Sequence, residues 1–112
     1  MQGFIDHTVL NEVLDEVGPD IAPVALQTFI DELENEGKVL EAAAADGDFQ
    51  QMRESAHRLK SSAASFGALP LSKISELIEH SVRKDKPDQA LAAMASFRTL
   101  ANASLTELQA LL

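Results

Sequence analysis

The sequence predicts an all-α protein: an up-down-up-down antiparallel four-helix bundle with a short additional N-terminal helix, residues 1–112 forming one domain. Three observations carry that expectation. Apolar residues recur at spacings of three and four along almost the whole chain. Strand signals are missing, since Tyr and Trp are absent and β-branched residues are scattered without sustained alternation. The breaks between periodic stretches are short, and short connections make successive helices antiparallel neighbours.

The first helix runs from about Asp6 to Val17, with Leu10, Val13, Leu14 and Val17 on one face, and Gly18-Pro19 ends it. The second starts near Asp20, where an Asp N-cap and Pro23 in the first turn both fit, because early helical N–H groups lack partners. Its stripe is Leu26, Phe29, Ile30, Leu33, Leu40 and Ala44. Gly37 falls where an apolar side chain is expected, at a cost of about 1 kcal/mol in helix propensity. It marks either a close helix approach or a kink.

Asp46-Gly47-Asp48 is a turn, after which Asp48 caps a third helix and Gln51 completes a capping-box pattern. That helix carries a regular stripe, Phe49, Met52, Ala56, Leu59, Ala63 and Phe66, and closes at Gly67-Ala68-Leu69-Pro70. Pro70 opens a fourth helix with Leu71, Ile74, Leu77, Ile78 and Val82. Asp85-Lys86-Pro87-Asp88 breaks the chain again. A single fifth helix then holds Ala90, Met94, Phe97, Ala101, Leu105, Leu108 and Leu112.

Composition narrows the function classes. A chain of 112 residues, 46% hydrophobic, is large enough for one core without staples. No cysteine is present, so there is neither a disulfide framework nor a thiolate site. No apolar run of membrane-spanning length occurs, and Met1-Gln2-Gly3-Phe4-Ile5-Asp6 lacks a signal peptide's basic start and apolar stretch. A cytoplasmic location is the expectation. The net charge of −9 argues against nucleic acid as a partner.

The charge is unevenly spread. Residues 1–48 hold twelve acidic residues and one basic one, Lys38, whereas residues 49–112 hold six acidic and eight basic. Arg53, Arg58 and Lys60 cluster around His57, which makes that spot a candidate anion site on an acidic protein.

His57 is the residue with the clearest chemical use. On a helical wheel it lies roughly 130° from the centre of the third helix's apolar stripe, so it points outward. Lys60, Ser61 and Ala64 share its flank, and Arg53 is one turn before it. A neutral imidazole is a nucleophile near neutral pH, nearby cations oppose further positive charge on it, and the same cations pair with phosphoryl oxygens. Ser61 and Ala64 are small enough to let a bulky partner reach the ring. His7 and His80 lack such surroundings and read as ordinary surface positions.

The run His57-Arg58-Leu59-Lys60-Ser61, followed by Ser62-Ala63-Ala64-Ser65-Phe66-Gly67-Ala68, resembles the signature of the histidine-containing phosphotransfer (HPt) family. That signature is His-x-x-Lys-Gly with a later glycine, on a helix of a four-helix bundle. Ser61 stands where the family usually has glycine. Within the family the stretch is most similar to the standalone type of bacterial quorum-sensing relays.

The resemblance implies a phosphorelay function. His57 accepts a phosphoryl group from a receiver-domain phospho-aspartate and passes it to the aspartate of a response regulator. Lys60 is implied to be the phosphate-side cation, Ser61 and Ala64 to give clearance, Gly67 to pack, and Arg53 and Arg58 to support the partner or phosphate. It also implies no cofactor on this chain, with Mg²⁺ belonging to the receiver, and a monomer with receiver domains of a hybrid sensor kinase and a response regulator as partners. The chain has no Gly-rich phosphate loop or kinase signature, so ATP is not its expected substrate.

Other readings compete. The phosphotransfer domain of a larger hybrid kinase would carry the same motif, and an acidic helical adaptor would explain the bundle without phosphate chemistry. A di-iron site would use Glu54-Ser55-Ala56-His57, but such bundles need a second Glu-x-x-His, and Phe4 and Leu77 occupy the matching offsets before His7 and His80.

Overall fold

A computed structural model describes residues 3–112; Met1 and Gln2, the first residues of the stretch screened for a leader, lie outside them. Six helices follow one another with no strand among the described residues: α1 His7–Val17, α2 Ala22–Asp46, α3 Phe49–Ser65, α4 Leu69–Arg83, α5 Pro87–Ala92 and α6 Met94–Gln109. Helices α2, α3, α4 and α6 form the up-down-up-down bundle, and α1 packs against α2 and α3. No helix among the described residues is long and apolar enough to cross a membrane.

The predicted stripes form most of the core. Met52, Ala56, Leu59 and Ala63 of α3 meet Leu26, Phe29, Ile30, Leu33 and Leu40 of α2, with Leu71 and Ile78 of α4 and Phe97 and Leu108 of α6. Phe66 stacks on Phe29 with ring centroids 4.5 Å apart and an interplanar angle of 3°. Val17, Leu77 and Leu112, placed on buried stripes by spacing, are exposed. Each lies at the edge of its stripe or past the end of its helix, where no neighbour arrives to cover it.

Two boundaries differ from expectation. Asp20 does not cap α2: the N-cap position is Ile21, without a side-chain bond, although Pro23 sits in the first turn as predicted. The Gly18 carbonyl instead accepts from the N–H groups of Ile21 and Ala22, which removes the need for an Asp oxygen. The single fifth helix is two, because the Ala93 N–H is shared between the carbonyls of Gln89 and Ala90 at 3.1 and 3.2 Å and the ladder tightens there. Asp48 does cap α3, accepting from the Gln51 N–H, but the Gln51 side chain donates to Ser55 rather than reaching back.

Gly37 is not a close approach. It lies inside the continuous α2, and a Cβ built on it meets nothing within 4 Å. The space belongs to a groove of about 370 Å³ between α2 and α6, floored by Leu33, Gly37, Phe97 and Ala101. Gly37→Ala is therefore expected to stabilise the protein by about 1 kcal/mol, through helix propensity with no clash to offset it. A rise in the urea midpoint at unchanged slope checks this.

The segment before α1 is tied to two distant elements. The Asp6 N–H donates to the Gly67 carbonyl at 2.8 Å, and Ile5 is 2% exposed. Phe4 N–H donates to Glu107 Oε1 at 2.7 Å, and His7 Nε2 lies 2.8 Å from Glu107 Oε2. His7, read as an ordinary surface position, thus has a carboxylate partner 100 residues away.

The Phe4 N–H, with His7 beside it, holds the Glu107 carboxyl below its usual range against partial burial. A depressed carboxyl stabilises the fold above its unfolded pKa of about 4.3, and that contribution is lost as pH falls through the folded value. Stability is accordingly expected to drop on acidification below about pH 4.3, and Glu107→Gln to flatten part of that drop. Urea unfolding at a series of acidic pH values measures both.

Candidate functional site

The site forms where α3 and α4 run antiparallel, the most extensively packed helix pair among the described residues. Ser72 Oγ donates to the Lys60 carbonyl at 2.9 Å and fixes their register. On the opposite flank of α3, Arg58 and Ser62 bind Glu36 and Glu32 of α2. Secured on both flanks, α3 holds its outward positions rigidly.

His57 occupies such a position, with 58% of its side chain exposed. Ser61 and Ala64 are exposed beside it, so the flank of small side chains is open as expected. The ring's inner edge is not free. His57 Nδ1 lies 2.7 Å from Glu79 Oε2 on α4. An ionised carboxylate only accepts hydrogen bonds, so the proton at this contact belongs to Nδ1 and the Nε2 lone pair faces solvent.

Glu79 is the residue that spacing did not reveal. It is 5% exposed, and its second oxygen, Oε1, is 2.8 Å from Lys60 Nζ. Burial alone pushes its carboxyl up, but hydrogen bonds from Lys60 and His57, with the ammonium charge of Lys60, outweigh that and hold it below the usual carboxylate range. One signal pointed to it: Ser72, Ser75 and Glu79 lie at spacings of three and four, a polar face of α4 beside the apolar one.

The remaining expected residues separate. Lys60 pairs with Glu79 instead of standing open as a cation for the phosphate side, and only 27% of its side chain is exposed. Arg58 is held by Glu36 through a two-pronged contact at 2.6 and 3.3 Å, which raises its pKa. Arg53 is half-buried and makes no ion pair among the described residues. The basic spot read from the sequence is thus largely neutralised by Glu36 and Glu79, partners from other helices.

Gly67 lies at the end of α3 in a positive-φ conformation, φ +84°. The Ala68 and Gly67 N–H groups return to the carbonyls of Ala63 and Ala64, closing the helix in a Schellman pattern. A Cβ there would lie 2.5 Å from the Asp6 carbonyl oxygen. Among the described residues no group of three or more His, Asp or Glu is placed to hold a metal ion.

Helix α3 thus presents an outward histidine with one nitrogen held and the other open. The Hpt domain family model matches residues 24–112. The chain belongs to the Hpt domain family. This Hpt domain is 46% identical over 65 residues to the phosphorelay protein LuxU of Vibrio vulnificus, strains YJ016 and CMCP6, the match covering 58% of this chain. It spans only 56% of those relatives' own length. The crystal structure of histidine-containing phosphotransfer protein B (HptB) from Pseudomonas aeruginosa PAO1 superposes with a TM-score of 0.87 at 28% identity, covering 97% of this chain and 94% of that one.

Proposed function

We propose that this Hpt domain is a phosphocarrier of a bacterial two-component phosphorelay. His57 Nε2 accepts a phosphoryl group from a phospho-aspartate on one receiver domain and passes it, reversibly, to the aspartate of a response regulator. The observation that carries this reading is the divided ring of His57: Nδ1 occupied by a buried carboxylate, Nε2 open to a partner. Family membership and the phosphorelay relatives support it. A relay of the quorum-sensing type is the version that the LuxU likeness favours.

In this reading Ser61 and Ala64 leave room for the receiver, and Gly67 packs the start of α1 against the end of α3. Arg53 and Arg58 sit at the rim. Mg²⁺ and its acidic ligands belong to the receiver, and the carrier, a cytoplasmic monomer, uses no ATP. Phosphoryl transfer rests mostly on positioning and charge neutralisation, which a rigid bundle helix supplies.

The test is incubation with a radiolabelled phospho-receiver. Label that is acid-labile and alkali-stable is expected on the wild type and absent from His57→Gln. Label persisting on His57→Gln overturns the proposal.

A further inference from the structure

His57 has different neighbours on its two sides along α3. At about 100° per residue, Lys60 lies roughly 60° to one side of it and Ser61 roughly 40° to the other. Lys60 Nζ and His57 Nδ1 both turn to Glu79 of α4, at 2.8 and 2.7 Å. Nε2 is on the ring edge away from that carboxylate, and so on the Ser61 side.

Donors on that side are few. Arg58 is held by Glu36, and Ser62 by Glu32. Glu54, one turn before His57, is a carboxylate, which accepts and does not donate. Arg53 makes no ion pair among the described residues, but it lies on the Lys60 side. Ser61 is exposed, and its hydroxyl makes no hydrogen bond among the described residues. In that it differs from Ser65, Thr99 and Thr106, which each donate to the carbonyl four residues earlier. Because Cα–Cβ bonds tilt toward a helix N-terminus, the Ser61 hydroxyl leans back over the turn that carries His57.

We propose that the Ser61 hydroxyl donates a hydrogen bond to a phosphoryl oxygen on His57 Nε2 and thereby stabilises the phosphorylated carrier. This rests on His57 being the phosphoryl acceptor. Glycine, the usual residue of the signature at this position, offers clearance alone, whereas serine offers clearance and a donor. In the transfer the Nε2 lone pair forms the N–P bond as the P–O bond of the aspartyl phosphate breaks. The aspartate leaves with that electron pair as a carboxylate, and the proton on Nδ1 stays in place. The phosphoryl oxygens stay negatively charged throughout, and on this edge of the ring α3 has no uncommitted cation for them. The charge-assisted bond from Ser61 is made only in the phosphorylated form.

A bond present only after transfer acts on the equilibrium and not merely on the rate. The test is the equilibrium ratio of phosphorylated carrier to phosphorylated receiver, followed by radiolabel on the full chain. It is measured for wild type, Ser61→Ala, Ser61→Gly and Ser61→Thr. The ratio compares free species at both ends, so receiver docking and steric clearance cancel from it. Ser61→Ala and Ser61→Gly are each expected to lower it about three- to tenfold, as the loss of one hydrogen bond requires. Ser61→Thr, which keeps the hydroxyl, is expected to stay within about twofold of wild type.

A ratio within about twofold of wild type in both Ser61→Ala and Ser61→Gly overturns the inference and leaves Ser61 as clearance, whatever happens to the rate. The position is exposed, so all three variants are expected to fold, and a thermal melt checks that each does. Absence of label on wild-type His57 would instead strike the phosphocarrier reading, and this inference with it.

Discussion

Glu79→Met is expected to slow phosphoryl acceptance by His57 on the order of 10²-fold while leaving the bundle folded. The carboxylate fixes the Nδ1–H tautomer and lies against the ring where positive charge develops, and methionine does neither. In water a neutral imidazole exchanges its proton between the two nitrogens, so without Glu79 part of the population carries it on Nε2 and cannot attack. The fold survives because Met refills a buried volume without charge and Lys60, part-exposed, turns toward water. Rapid-quench phosphotransfer beside a thermal melt separates the two effects. A rate within a factor of about two of wild type would remove Glu79 from the mechanism.

Gly67→Ala is expected to cost about 2–3 kcal/mol and to lower Tm by roughly 10 °C. Two contributions add. The φ of +84° penalises any side chain, by about 1–2 kcal/mol. The added Cβ would lie 2.5 Å from the Asp6 carbonyl oxygen, and backbone at that distance has to move. Moving it loosens the Asp6 N–H bond to the Gly67 carbonyl, worth about 1 kcal/mol, at the point where α1 joins the bundle. The same substitution at Gly47, the left-handed helix end of α2 (φ +69°) with no atom within 4 Å, is expected to cost only the conformational part. Equal melts for the two variants would contradict the steric argument.

The bundle and the outward setting of His57 were legible in the sequence because both depend on local periodicity. The α3 stripe from Met52 to Ala63 is buried as spacing requires, and His57 lies off it. The charge arrangement was not legible, because pairing across helices leaves no local mark. Lys60 and Glu79 are 19 positions apart, Arg58 and Glu36 are 22, and both cations look free in sequence alone. Beside His80, Glu79 looks like part of a solvated face, and only the antiparallel register set by Ser72 on Lys60 brings it under the imidazole. The α5–α6 break was hidden for the opposite reason, since a one-residue tightening at Ala93 leaves the apolar spacing intact.

In the proposed phosphocarrier role, Nε2 of His57 carries the phosphoryl group while Nδ1 keeps its proton and donates it to Glu79. The most direct measurement is phosphorus–nitrogen NMR on ¹⁵N-labelled protein phosphorylated by a receiver domain. One phosphorus coupled to Nε2 of His57 is expected, with a protonated Nδ1 and unmodified His7 and His80. Coupling to Nδ1 of His57, or phosphorus on either of the other two histidines, would contradict it.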